Sequence, residues 1–95
     1  MIEVRQTADG DPMRFEVAVG DGSGASRHAV TMTGATYRRL SVGGLHRPER
    51  CIEAAFRFLL DREPKEAILG QFDIAQISHY FPAFEDRLPE YLGRE

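Results

Sequence analysis

The chain reads as α+β: a small three-stranded antiparallel β-meander at the N-terminus, covered by four or five short α-helices. Two observations carry this expectation. Up to residue 33, apolar side chains recur at every second position, the period of a strand with one buried face. From residue 34 onward they recur at spacings of three and four, the period of a helix lying on a core. The 95 residues amount to one domain, 1–95, with the meander in 1–33 and the helical part in 34–95.

Three strands are expected, at 2–7, 13–19 and 27–33. Ile2 and Val4 alternate with Glu3 and Arg5. Asp9-Gly10-Asp11-Pro12 is a turn, because Asp and Gly tolerate turn dihedrals and Pro cannot donate to a ladder. Phe15, Val17 and Val19 then alternate with Arg14, Glu16 and Ala18, and Gly20-Asp21-Gly22-Ser23-Gly24 forms the next loop. Val30 and Met32 continue the alternation on the third strand. Such a meander has one apolar face, and that face must be covered.

The helical part begins with a short helix over 35–42, with Thr33 or Gly34 near its start, and Gly43-Gly44 stops it. The best-defined helix spans 48–62. Pro48 suits its first turn, where a missing N–H costs nothing. Ile52, Ala55, Phe56, Leu59 and Leu60 form one continuous stripe, so this helix is the core helix lying on the sheet. Pro64 ends it and opens a short helix closed by Gly70. Asp73 followed by Gln76 makes a capping-box pattern, with Phe72 and Ile77 as a hydrophobic staple across it. Pro82 ends that helix and opens another bearing Phe84, Leu88, Tyr91 and Leu92, which Pro89 bends or ends.

Composition removes several classes. Apolar residues make up 42% and charged residues 28%, the proportions of an ordinary globular domain. No apolar run approaches the roughly 18–20 residues needed to span a bilayer, and the opening Met1-Ile2-Glu3-Val4-Arg5-Gln6 lacks the apolar stretch of a signal peptide. Cys51 is the single cysteine and cannot close an intramolecular disulfide. A cytoplasmic location follows as the expectation. The net charge of −3 is unevenly spread. Two arginines face five acids in 1–24, seven arginines face three acids in 25–62, and three bases face seven acids in 63–95.

The run Phe56-Arg57-Phe58-Leu59-Leu60-Asp61-Arg62-Glu63-Pro64-Lys65-Glu66-Ala67-Ile68-Leu69 is followed by Phe72-Asp73-Ile74 and by Tyr80-Phe81-Pro82-Ala83-Phe84-Glu85. Over this C-terminal half the chain resembles a set of small uncharacterised bacterial proteins with no assigned activity. The resemblance implies a bacterial cytoplasmic protein and nothing about chemistry.

A second resemblance, over residues 28–62, is to ribbon-helix-helix DNA-binding proteins. Val30-Thr31-Met32-Thr33 stands where the ribbon would be, with 35–42 as first helix and 47–60 as second. The resemblance implies that Thr31 and Thr33 face bases while Arg27, Arg47 and Arg50 support the phosphate contact. The competing reading is a strand-helix-helix stretch with solvated arginines. It is favoured by the acidic whole and by a strand face poor in the usual base readers.

Other chemistry has little to stand on. His28, His46, His79 and Cys51 match no compact zinc spacing, and Cys51 sits beside the apolar stripe as a small core residue. No metal or other cofactor is expected. Asp9, Asp11 and the 20–24 loop lack the acids of a calcium loop and the basic residue of a phosphate loop. Ser41, Ser78 and Cys51 occupy no nucleophile-elbow context. Adjacent Ser78 and His79 diverge on a helix, and Glu85-Asp86 reads as a solvated pair. No catalytic residue is assigned.

Five of the nine aromatic residues, Phe72, Tyr80, Phe81, Phe84 and Tyr91, fall in the last 24 positions. Phe72, Ile77 and Phe81 are expected in the core, and Phe84, Tyr91 and Leu92 at a partner interface. The leading expectation is a non-enzymatic protein-interaction or regulatory domain, self-associating or binding a protein partner, with no membrane contact. The alternatives are a ribbon-helix-helix-like DNA binder and a small enzyme.

Overall fold

The fold is given by a computed structural model that describes residues 1–22 and 24–93. Its first part is the expected meander: β1 (Ile2–Ala8), β2 (Met13–Asp21) and β3 (Gly24–Met32), each antiparallel to the next. Alternation drives the pairing. Met13, Phe15, Val17 and Val19 of β2 and Val30 and Met32 of β3 are buried on one face, while Arg14, Glu16, Arg27 and Ala29 stand on the other. The hairpin closes more tightly than the spacing suggests, with Asp21 already paired to Gly24. Gly24 takes φ +126°, a backbone conformation that L side chains rarely adopt. Ser23 of the predicted loop lies outside the described residues.

The sheet has four strands, not three. β4 (Gln71–Asp73) joins β3 in parallel, with Ala29 opposite Gln71, Val30 opposite Phe72 and Thr31 opposite Asp73. Three residues are too few for a period of two to register in sequence, and a parallel neighbour needs a long crossover. That crossover consists of α1 (Gly34–Leu40) and α2 (Pro48–Leu60). The second half of the chain is therefore not purely helical.

α1 is shorter than the expected 35–42. Thr33 is its N-cap, with Oγ1 accepting the Thr36 N–H at 3.1 Å. The helix ends at Leu40, and Val42 already has φ 55°. α2 begins at Pro48 as expected and stops at Leu60. It buries Cys51, Ile52, Ala54, Ala55, Phe56, Phe58 and Leu59 in the core, between the sheet and α4. The helix expected from Pro64 is a single 3₁₀ turn, Lys65–Ala67.

Asp73 caps the next start as its sequence indicates. Gln76 Oε1 accepts the Asp73 N–H at 2.8 Å, and Asp73 Oδ1 accepts the Ala75 N–H at 2.9 Å. The capped segment is a 3₁₀ turn, Ile74–Gln76, that runs into α3 (Ile77–Tyr80). α4 (Phe84–Leu92) then packs on α2, burying Phe84, Leu88 and Leu92. Pro89 lies inside α4 and does not end it. Among the described residues there are four α-helices and two 3₁₀ turns, and no helix is long and apolar enough to cross a membrane.

Candidate functional site

The segment between α2 and α3 is clamped to the sheet at several points. Lys65 is buried, yet its Nζ donates to Asp21 Oδ2 at 3.0 Å and to Glu66 Oε2 at 2.6 Å. These bonds hold the ammonium pKa above its ordinary value, Glu66 contributing most, then Asp21. Farther along, the Leu69 carbonyl sits 2.7 Å from His28 Nδ1, and the Gly70 carbonyl accepts the Ala29 N–H at 2.8 Å. A carbonyl only accepts, so the proton is on Nδ1. In the neutral ring Nε2 then accepts from Ser26 Oγ at 2.8 Å. His28 also lies against Phe56, ring centroids 5.3 Å apart.

This clamp and α3 enclose an open groove of about 260 Å³. Buried Leu59, Ile68, Phe72 and Ile77 form its floor. Leu69 and Tyr80 stand at its rim, 50% and 66% exposed. Glu63 and Gln76 are its polar members. The lining offers apolar contact and a few hydrogen-bonding atoms but no pair of facing acids or bases.

The open face of the sheet carries a second depression, of about 590 Å³, over Ala18 and Ala29. Its charges are mixed in sign: Glu3 and Glu16 beside Arg5 and Arg27. Arg5 and Glu16 form an ion pair across β1 and β2.

The expected interface residues are instead committed to the chain's own interior. Phe84 and Leu92 are buried, and Tyr91 is half-buried. Phe58 gathers the aromatic tail: Phe84, Tyr91 and Phe81 approach its ring at 5.1, 5.7 and 5.8 Å in edge-on geometry. The Arg62 guanidinium stacks 3.7 Å from the same ring. The Tyr91 hydroxyl donates to Asp61 Oδ2 at 2.6 Å. The apolar side of α4 meets α2, so Phe84 and Leu92 are core, while Tyr91 keeps part of its surface exposed.

The residues placed by the ribbon-helix-helix resemblance do not share a surface role either. β3 is an interior strand between β2 and β4. Thr31 donates to Asp73 Oδ2 at 2.6 Å, and Thr33 caps α1. Arg50 donates to the Leu92 carbonyl at 2.6 Å, at the negative end of α4, and to Glu53 at 3.3 Å. Arg27 lies on the open sheet face, and Arg47 is exposed beside Glu49 at 3.8 Å.

Of the remaining nucleophiles, Cys51 and Ser41 have structural surroundings, whereas the Ser78 hydroxyl is buried without a hydrogen-bond partner among the described residues. Cys51 is buried, and burial pushes its thiol pKa up to about 11. Ser41 is buried and accepts the Gly44 N–H at 2.9 Å, while the His46 carbonyl accepts the Tyr37 hydroxyl at 2.6 Å. His79 is exposed. Asp11 accepts the Gly34 N–H at 3.0 Å, tying the first turn to α1. Glu85 receives a two-point contact from Arg39, at 2.8 and 2.9 Å. Among the described residues no group of three His, Cys, Asp or Glu is placed to hold a metal ion.

Comparison with known proteins returns no matching family model, no matching curated protein and no matching solved structure. The groove residues Leu69 and Tyr80 were not singled out as site residues from sequence. No sequence signal marks Leu69, which reads as the end of a helix; its outward side chain follows from the extended backbone that the structure gives at Ile68.

Proposed function

We infer that the chain is a non-enzymatic protein-interaction domain whose groove receives a large apolar side chain from a partner's backbone segment. The observation that carries this reading is the exposure of Leu69 and Tyr80 directly over a buried apolar floor. Met1, Val42 and Leu45 are also exposed, but of the exposed large apolar groups only Leu69 and Tyr80 line the groove among the described residues. Apolar area so exposed, with polar neighbours around it, fits a contact surface. At about 260 Å³ the groove has room for one or two side chains.

Selection of peptides displayed on phage against the intact protein tests this. Enriched sequences should share a large apolar anchor, and Leu69→Ser and Tyr80→Ser should each weaken their binding about tenfold, the cost of one truncated anchor contact. Peptides that bind both variants as well as the parent would remove the groove from the function. The nucleic-acid reading is less well supported. Thr31, Thr33 and Arg50 serve internal contacts, and acids intersperse the arginines of the open sheet face. An enzyme needs convergent titratable groups in a cleft, and the groove supplies Glu63 with no facing partner in its lining.

A further inference from the structure

The two edges of the sheet are unlike. β4 is three residues long, a short edge of the kind that discourages pairing with another chain. β1 is seven residues long and is the other terminal strand of the sheet. It contains no Pro and no Lys. Two of its apolar side chains, Ile2 and Val4, pack on the core but stay only half-buried along this edge.

The hydrogen-bond parity of β1 is fixed by its pairing with β2. The Met1 nitrogen donates to the Gly20 carbonyl at 2.6 Å, and the Gly20 N–H donates to the Met1 carbonyl at 2.8 Å. Antiparallel ladders alternate between pairs that exchange two bonds and pairs that exchange none. With Glu3 opposite Ala18 and Arg5 opposite Glu16, the odd residues point their N–H and C=O groups at β2. Ile2, Val4 and Gln6 therefore point theirs away from the sheet. Beyond Gln6 the ladder shifts register, and the Gln6 amide donates to the Ala8 carbonyl at 3.2 Å. The free stretch is thus 2–6, and Val4 is its midpoint.

We propose that this edge pairs with the same edge of a second copy, antiparallel about a two-fold axis at Val4, joining two four-stranded sheets into one of eight. Of the two-fold registers open to this stretch, the one centred on Val4 matches charge. It sets Glu3 opposite Arg5 of the second copy, twice. Centring on Glu3 or on Arg5 sets like charges face to face, which costs stability in a cross-strand pair. With Val4 at the axis, Val4 and Val4 of the second copy exchange two backbone bonds. The Glu3–Arg5 pairs then fall at non-hydrogen-bonded positions, where side chains approach most closely. Arg5 would lie between Glu16 of its own chain and Glu3 of the second. The half-buried Val4 side chain would be covered by its counterpart, and Ile2 would lie beside Gln6 of the second copy. This surface is separate from the groove, and the inference holds or fails independently of it.

Sedimentation equilibrium over a range of concentrations, combined with amide hydrogen exchange, tests the pairing. The parent protein should form a dimer, and the Val4 amide, which faces water in a monomer, should gain protection as dimer accumulates. Glu3→Arg and Arg5→Glu each place like charges across the axis and should each shift the equilibrium to monomer. Both positions lie on the solvent face of β1, and circular dichroism confirms that each variant is folded. Mixing the two variants in equal amounts should restore a dimer, now a heterodimer with opposite charges at both positions. A parent that stays monomeric at the highest concentrations overturns the proposal. So does a dimer indifferent to both substitutions, or one in which Val4 exchanges at the same rate at every concentration.

Discussion

The Thr31 hydroxyl donates to Asp73 Oδ2 at 2.6 Å, while Oδ1 of the same carboxylate accepts the Ala75 N–H at 2.9 Å. One side chain thereby joins β3 to β4 and starts the turn that leads into α3. Asp73→Ala removes both contacts. A lost cap costs about 0.5–2 kcal/mol and a lost hydrogen bond about 1 kcal/mol. The variant should therefore be less stable by about 1–3 kcal/mol in urea denaturation. Thr31→Val removes only the strand contact. A double-mutant cycle over the two positions should give a coupling of about 0.5–1.5 kcal/mol, and additive effects would show that the pair does not interact.

Phe58 is the residue on which the C-terminal half converges. Its ring takes edge contacts from Phe81, Phe84 and Tyr91 on one set of neighbours and the Arg62 guanidinium on another. Phe58→Ala should cost about 3–5 kcal/mol, the range for a buried aromatic truncated to alanine. Tyr91→Phe keeps the ring and deletes only the hydroxyl bonded to Asp61, so its cost should be about 0.5–1.5 kcal/mol. Guanidinium denaturation of both variants checks the ordering. Equal losses would mean that Tyr91 holds α4 chiefly through its hydroxyl.

Much of this architecture is legible in the residues. The alternation of Phe15, Val17 and Val19 fixes β2 and its buried face, and the stripe through Ile52, Phe56 and Leu59 fixes α2. Asp73 and Gln76 fix a helix start to the residue. β4 is not legible because Gln71-Phe72-Asp73 becomes a strand only when β3 lies beside it, and no local pattern encodes that neighbour. The same holds at the candidate site. Phe84 and Leu92 look like free apolar groups until α4 meets α2. Leu69 looks like the end of a helix until its carbonyl is held by His28 and its side chain is turned outward. Periodicity reports which face of an element is apolar; it does not report which other element will cover that face.

Val42 has φ 55° and is 61% exposed. For a β-branched residue this backbone is an outlier, and the left-handed region costs an L-residue about 1–2 kcal/mol. Asn tolerates that region far better, and little apolar burial is lost at so exposed a position. Val42→Asn should raise stability by about 0.5–1 kcal/mol, read as a higher Tm in calorimetry. An unchanged or lower Tm would mean that the Val42 side chain makes a compensating contact in the loop.

Duplex DNA binding is decided by salt dependence. Phosphate contacts release counterions, so a DNA-binding surface loses affinity steeply as salt rises. With Arg50 held by Leu92 and Glu53, and Arg27 set on a face shared with acids, fluorescence anisotropy should show no binding to mixed-sequence duplex at low salt. A signal that appears at low salt, vanishes near physiological salt and weakens in Arg27→Ala or Arg47→Ala would restore the nucleic-acid reading.

Acid sensitivity follows from three glutamates, one of them Glu66, which Lys65 holds below its ordinary value. The Arg39 guanidinium holds the Glu85 carboxyl below the ordinary value of 4.5, and Arg57 with help from Arg50 does the same for Glu53. A carboxyl with a lower pKa in the folded state binds fewer protons there than in the unfolded chain, so acidification favours unfolding. Each contribution is fully present above the ordinary value and is lost as pH falls through the lowered one. The Glu85 and Glu53 side chains remain partly exposed, at 34% and 27%, so solvent screening limits each of these pairs to about 1 kcal/mol or less. Thermal melts should be insensitive to these groups from neutrality down to about pH 5 and fall below it. Glu85→Gln should lower the plateau slightly and make the acid limb shallower. An acid limb of unchanged slope would show that the Arg39–Glu85 contact contributes nothing to the pH dependence.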